Sequence, residues 1–290
     1  MLGHHFLGLY EKALPPSMGW PERLEACGQL GFDFLELSID ETDQRLARLD
    51  WDGAQRAALR RAIQETGVPI RSLCLSAHRR FPYGSADPAL RRRAGEIMEK
   101  AVLLAGDLGI RVIQLAGYDV YYEPSTPESL ARFREGLEEA CQLGERHQVM
   151  LAMEIMDTPL MSSITRYKRW KAQLPSPWFA VYPDLGNLSA WGNDTLAELR
   201  LGRGEIVGVH VKDTLAVTPS FPGKFKCVPF GSGCVDFTAC FRCLEEEGYQ
   251  GPYMMEMWYE PGQDWRREIA AAREYIAGRF AAAAGGGTIA

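Results

Sequence analysis

FLGLYEKALPPSMGW, residues 6–20, starts as an apolar run of strand length and leads into a segment of helical period, PERLEACGQLG. What lies between them chooses between two ways of building a parallel sheet. An open doubly wound sheet that binds a dinucleotide carries GxGxxG after its first strand, so that bare backbone can approach the pyrophosphate. The turn here, EKALPPSMGW, has no such glycine spacing. A closed barrel makes no such demand of its first turn.

Seven further apolar runs follow: FDFLELSI (32–39), IRSLCLS (70–76), RVIQLAG (111–117), VMLAMEIM (149–156), WFAVYPD (178–184), IVGVHVKD (206–213) and GPYMMEMW (251–258). Segments of helical period separate them, several starting at Asp or Pro and stopping at Gly, as helix ends prefer. Strand–helix alternation at this rhythm implies right-handed βαβ units and a parallel sheet. Eight such units in 290 residues predict an α/β fold, a (β/α)8 TIM barrel with a parallel eight-stranded core, spanning 1–290 as one domain. The stretch 215–233 reads as a long active-site loop. The tail AAAAGGGTIA (281–290) reads as flexible.

Bulk properties narrow the function classes. The chain is 46% hydrophobic with net charge −6. An acidic balance argues against nucleic acid as a partner, since that needs a basic face. No run is long enough to span a bilayer, and MLGHHFLGLY lacks the pattern of a signal peptide, so a cytoplasmic location is expected. Seven cysteines at irregular spacings give no secreted disulfide framework.

In a parallel barrel the chemistry sits at the carboxyl ends of the strands. The last four runs deliver Glu154, Asp184, His210 and Glu256 there, at intervals of 30, 26 and 46 residues. The first two intervals suit one strand–helix unit each, and the third a unit with an enlarged loop. Taken singly, each residue has an ordinary structural explanation: a turn cap for Asp184, an Arg partner for a buried Glu, a satisfied histidine. Four in register are harder to explain that way. Three carboxylates and an imidazole converging on one point repel unless a cation sits among them. The oxygen and nitrogen set suits one divalent ion, Mn²⁺, Zn²⁺, Co²⁺ or Mg²⁺.

AMEIM and MMEMW echo each other, each placing Glu inside a Met-rich apolar run. Strands 5 and 8 stand three apart in a barrel, so Glu154 and Glu256 approach a ligand from different sides. Two carboxylates on opposite faces of one carbon are what inversion at that carbon requires. A metal chelating a ketone and its neighbouring hydroxyl would acidify the carbon and stabilise an enediolate.

The chain resembles the L-ribulose-5-phosphate 3-epimerases, also called L-xylulose-5-phosphate 3-epimerases, of bacterial L-ascorbate catabolism. They are xylose-isomerase-like barrels. The likeness runs from GLYEKALP (8–15) to GPYMMEMW (251–258), and is carried most specifically by GFDFLELSIDETDQRLARLDW, CLSAHRRFP, IQLAGYDVYY, LAMEIMD, YPDLGNLSAW and HVKDT. It implies Glu154, Asp184, His210 and Glu256 as metal ligands, Glu154 and Glu256 also as the acid/base pair, and interconversion of L-ribulose 5-phosphate and L-xylulose 5-phosphate. With the aromatic loops, it favours a homodimer. The loop VKDTLAVTPSFPGKFKCVPFGSG is longer than the family leads one to expect.

A sugar phosphate needs cationic or amide donors. After the third strand, SAHRRFP offers His78, Arg79 and Arg80, and guanidinium forks match phosphate oxygens. GKFKCVPFGSG adds Lys224 and Lys226 in the loop after strand 7, a common phosphate position in barrels. Asn187 and Lys212 adjoin ligand positions and are candidates for the sugar hydroxyls. Glu36, ending strand 2, is a candidate for orienting a ligand.

Cys240 and Cys243 form a CxxC inside an apolar-periodic helix rather than at its start, which does not suit a redox pair. His4 and His5 read as incidental. Other chemistries fit less well. An unphosphorylated ketose remains an alternative substrate. An aldose–ketose isomerase on this scaffold favours two metals and more histidines than the five present. A trinuclear phosphodiesterase needs a His-rich cluster and a basic face. A non-catalytic sugar binder predicts loss of one of the two glutamates.

Overall fold

The computed structural model describes residues 1–285. Its strands are β1 Leu7–Tyr10, β2 Phe34–Ile39, β3 Ile70–Leu75, β4 Val112–Leu115, β5 Met150–Glu154, β6 Phe179–Tyr182, β7 Val209–Val211 and β8 Tyr253–Met255. Each falls inside one of the eight runs, and all neighbours pair in parallel in the order β6-β5-β4-β3-β2-β1-β8-β7. The remaining seam, β6 to β7, is bridged at Val181–Ile206 and Asp184–His210, the latter with His210 N donating to Pro183 O at 3.0 Å. Sequential right-handed crossovers therefore close the sheet into a barrel wrapped by helices.

Helices start and stop where side chains satisfy their loose backbone groups. Asp52 accepts from Gln55 N, Asp87 from Ala89 N and Thr126 from Ser129 N. Each such cap is worth about 1 kcal/mol. Gly67 and Gly109 end the helices Gly53–Thr66 and Pro88–Leu108 at φ of 69° and 73°, where a Cβ is disfavoured.

The strands are almost wholly buried, one side against the helices and the other inside the barrel. Below the mouth the interior is filled by Tyr10, Phe34, Cys74 and Met254. Gly8 makes room for Phe34: a Cβ there would lie 2.2 Å from Phe34 Cζ. This plug forms the floor on which the polar groups stand.

Strand pairing on β5 stops at Glu154, although the apolar run continues through Met156, so the carboxylate stands at the carboxyl end of its strand, where it was expected. One expectation is revised. The last helix, Trp265–Gly285, runs through five residues expected in a flexible tail, because Phe280 and Ala283 bury their side chains against the core. Residues 286–290 lie outside the described residues.

Candidate active site

The four register positions converge. Glu154 ends β5, His210 is the middle residue of β7, Glu256 follows β8, and Asp184 caps the short helix Leu185–Ala190 after β6. All four are buried, with candidate donor atoms within 4.8 Å of one another. Asp184 spends Oδ1 on Asn187 N at 2.6 Å, which leaves Oδ2 turned inward. Asn187 Nδ2 in turn donates to Ile155 O at 2.9 Å and fixes the chain just past Glu154.

His210 is held from below. Its Nε2 lies 3.1 Å from Glu36 Oε1, and the other Glu36 oxygen accepts from the Ser72 hydroxyl at 2.6 Å. A proton on Nε2 leaves Nδ1 as a lone pair facing the cluster. Nδ1 lies 3.2 Å from Glu154 Oε1 and 3.8 Å from both Asp184 Oδ2 and Glu256 Oε2. Glu36 thus fixes the His210 ring from beneath.

Asp184 Oδ2, His210 Nδ1 and Glu256 Oε2 are buried and lack a hydrogen bond of good geometry. Orphaned acceptors facing one another are costly unless a cation joins them. Lys212 supplies one charge, with Nζ 2.8 Å from Glu256 Oε2 and 3.1 Å from Asp184 Oδ2. Against it stand four buried carboxylates, Glu36 included. The remaining negative charge and the three-oxygen, one-nitrogen donor set fit a divalent metal ion.

The protein's own charges set distinct proton affinities. Burial raises the pKa of Glu154, and raises that of Asp184 to about 7. Burial acts the same way on Glu256, but Lys212 and His210 outweigh it and hold that carboxyl at about 2. Burial opposes the charge of Lys212, yet Asp184, Glu256 and Glu154 more than offset this and raise its pKa. Burial likewise disfavours imidazolium at His210, but where no ion takes up the Nδ1 lone pair, Glu36 and Glu154 favour a second proton there.

Above the cluster a cavity is lined by residues from six strand ends, among them Arg79, Asn187, Lys212 and Lys226 from the sequence-derived set. The guanidinium of Arg79 lies 4.6 Å from the Tyr121 ring centroid, and its buried Nε has no partner. His78 and Arg80 are not brought to this cavity. His78 turns into the wall, where its Nε2 bonds Ala94 O at 3.1 Å and its ring packs on Tyr83. Arg80 points outward and pairs with Asp43 at 2.7 Å. The 3-10 turn Ala77–Arg79 sets successive side chains about 120° apart, and of its three residues only Arg79 lines the cavity.

Sequence reasoning missed Tyr10, Lys12 and Trp258, which also line the cavity. Tyr10 and Lys12 lie at the carboxyl end of β1, and Trp258 two residues beyond Glu256, so position at a strand end was the available signal. Lys212 and Lys226 hold their ammonium groups 5.5 and 5.6 Å from the Trp258 ring. The long loop is a built wall: Leu215 bridges Lys224, and Asp213 accepts from the backbone N–H of Gly231 and Gly233 at 2.8 and 2.9 Å.

The xylose isomerase-like TIM barrel family matches residues 24–276, and the chain belongs to it. Within that class it belongs with the L-ribulose-5-phosphate 3-epimerases, enzymes of the isomerase class. It is 56% identical over 277 residues to a putative L-ribulose-5-phosphate 3-epimerase, SgbU, of Escherichia coli K12, covering 96% of this chain and 97% of the relative. It is 56% identical over the same length to L-ribulose-5-phosphate 3-epimerase UlaE of Escherichia coli O139:H28, covering 96% and 95%. Among solved structures, an L-ribulose 3-epimerase superposes with TM-score 0.79 at 18% identity over 97% of this chain and 96% of that one. D-psicose 3-epimerase of Clostridium cellulolyticum H10 gives 0.77 at 16% identity, covering 93% and 98%. These two support the barrel fold.

Proposed function

We propose that this protein is a metal-dependent 3-epimerase of a ketopentose phosphate, interconverting L-ribulose 5-phosphate and L-xylulose 5-phosphate. The observation that carries this reading is the pair Glu154 and Glu256, two buried carboxylates on non-adjacent strands within 4.8 Å of a common ligand set. Relatives at 56% identity that bear the L-ribulose-5-phosphate 3-epimerase name support the substrate.

Glu154, Asp184, His210 and Glu256 would hold the ion. A divalent ion there would withdraw charge from the ketone and its neighbouring hydroxyl, making the C3 proton removable at neutral pH. One of Glu154 and Glu256 then takes the C3 proton, and the other, protonated, delivers one to the opposite face. Charge counting favours this division. Four carboxylates against Lys212 and one divalent ion leave a single negative charge, which one shared proton neutralises. A single exchangeable proton between two carboxylates is the stock a two-base inversion uses.

Arg79, Lys12 and Lys226 line the outer cavity and would receive the phosphate, while Asn187 and Lys212, lining the same cavity, would face the sugar hydroxyls. All seven cysteines are free, in keeping with a reducing cytoplasm. Among the described residues no helix is long and apolar enough to cross a membrane.

The test is incubation with L-ribulose 5-phosphate in deuterated water, after chelation and again after adding back Mn²⁺, Zn²⁺, Co²⁺ or Mg²⁺ in turn. The expected product is L-xylulose 5-phosphate with deuterium at C3, formed only with metal. Epimerisation without label would exclude proton exchange, and turnover indifferent to chelation would exclude the ion.

A further inference from the structure

Outside the catalytic cluster, one other group of metal-ligand side chains converges among the described residues: His4, His5 and Glu245, with candidate donor atoms within 4.8 Å of one another. It sits at the opposite end of the barrel. His5 precedes β1, Gly251 precedes β8, and Glu245 lies in the last turn of the helix Phe237–Glu246 that returns the chain to that end.

The His5 ring is buried and its orientation fixed. Nδ1 lies 2.8 Å from Gly251 O, and a carbonyl only accepts, so Nδ1 carries a proton. The ring packs against Tyr249, Tyr253 and Phe280 at 5.5, 5.0 and 5.9 Å. Nε2 faces Glu245 Oε1 at 2.6 Å. In neutral imidazole that nitrogen is a lone pair against a carboxylate oxygen, two acceptors in contact. A positive charge must complete the pair, either a proton or a metal ion.

The third ligand favours a metal. His4 stands beside His5 with ring centroids 3.9 Å apart, in a turn locked by Leu2 and His5 exchanging both backbone hydrogen bonds at 2.9 Å. A proton shared by His5 and Glu245 gives His4 nothing to do there, whereas a metal uses all three. A carbonyl-anchored imidazole presenting its other nitrogen is also how metal-ligating histidines are held. Zinc bonds of about 2.0–2.1 Å at a tetrahedral angle set ligand atoms about 3.3 Å apart, so the His5–Glu245 contact of 2.6 Å needs to open a little, while the pairs with His4, all within 4.8 Å, need to close by at most about 1.5 Å. Its side chain is 31% exposed and free to do so.

We propose that His4, His5 and Glu245 form a second, structural site for a borderline transition ion such as Zn²⁺ or Co²⁺, with a fourth position open to water. Bound there, the ion ties the amino-terminal turn to the β7–β8 crossover helix, far from the epimerase chemistry. An ion that binds the folded form alone also raises its stability.

Tag-free protein stripped by chelator and dialysed against Co²⁺ tests this. Two ions per chain are expected for the parent and one for His4→Ala/Glu245→Gln, which keeps its epimerase activity. Asp184→Ala, crippled at the catalytic cluster, is expected to retain an ion whose dissociation constant rises about tenfold or more when His4→Ala and Glu245→Gln are added. The Co²⁺-induced rise in Tm should follow the same pattern. One ion per chain in the parent, or an Asp184→Ala affinity indifferent to His4 and Glu245, would overturn the site and leave a protonated His5–Glu245 pair.

Discussion

Glu36 on β2 reaches across the barrel lumen to His210 on β7, placing Oε1 3.1 Å from Nε2 beneath the ligand cluster. Glu36 is itself wholly buried and tied to Ser72, so it cannot swing away. The contact selects which imidazole nitrogen is free for an ion. Glu36→Gln keeps the shape but loses the charge that strengthens the Nε2 proton's bond. Metal affinity is expected to fall 10- to 100-fold, read by titration against a competing chelator. Unchanged affinity would relegate Glu36 to packing.

Lys212 joins two carboxylates of the proposed metal site, Asp184 and Glu256. Lys212→Met leaves their charges buried with only His210 beside them until a metal binds. The metal-free variant is expected to lose about 3–5 kcal/mol in denaturant unfolding, with part of that loss recovered on adding the ion. Equal stability of parent and variant in chelator would mean that the carboxylates are neutralised by protons instead.

Arg79 and Arg80 are neighbours in sequence with different surroundings. Arg79 lines the cavity, whereas Arg80 is an exposed partner of Asp43. Arg79→Ala is expected to raise KM for the sugar phosphate at least tenfold, by loss of a charge-assisted contact worth about 1.5–3 kcal/mol, and to affect the free ketose far less. Arg80→Ala is expected to leave both near parent values. Equal effects of Arg79→Ala on both substrates would remove it from the phosphate.

The barrel was legible because period and length acted together: each apolar run contains one strand, and helices begin and end at the residues expected to cap them. The convergence of Glu154, Asp184, His210 and Glu256 was legible because strand ends are fixed by the same periodicity, so the four fall in register. Side-chain direction in the loops was not legible. His78 and Arg79 lie in a short 3-10 turn that Arg80 caps, and packing on Tyr83 and pairing with Asp43 decide where His78 and Arg80 point. Nor did the sequence reveal that Lys12, directly after β1, stands at the same mouth as Lys226, more than two hundred residues later.

His78 carries a pH signature of its own. Burial pushes its pKa down to about 4, against the pull of the Ala94 carbonyl. The unfolded chain takes up this proton near pH 6.5 and the folded chain only near 4, so stability is full above 6.5 and is lost as pH falls between them. The effect amounts to about 3 kcal/mol. Unfolding free energies of the parent and His78→Gln, compared from pH 7 to pH 4, should converge as the pH falls. A constant difference would place the depressed pKa elsewhere.

Glu154 and Glu256 make the most specific prediction, because an inversion with two bases fails differently for each. Glutamine keeps a carbonyl oxygen for an ion but neither takes nor gives the proton. Both Glu154→Gln and Glu256→Gln are therefore expected to lose net epimerisation by about 10²-fold or more. Each variant retains one working carboxylate, on one face of C3. That group can still lift the proton from the epimer that presents it and return deuterium from solvent to the same face. In deuterated water, one variant should exchange C3 of L-ribulose 5-phosphate without inverting it, and the other should do so only with L-xylulose 5-phosphate. Mass spectrometry of recovered substrate reads this directly. If both variants exchanged the same epimer, one carboxylate would serve both faces, and the opposed placement of β5 and β8 would have no catalytic meaning.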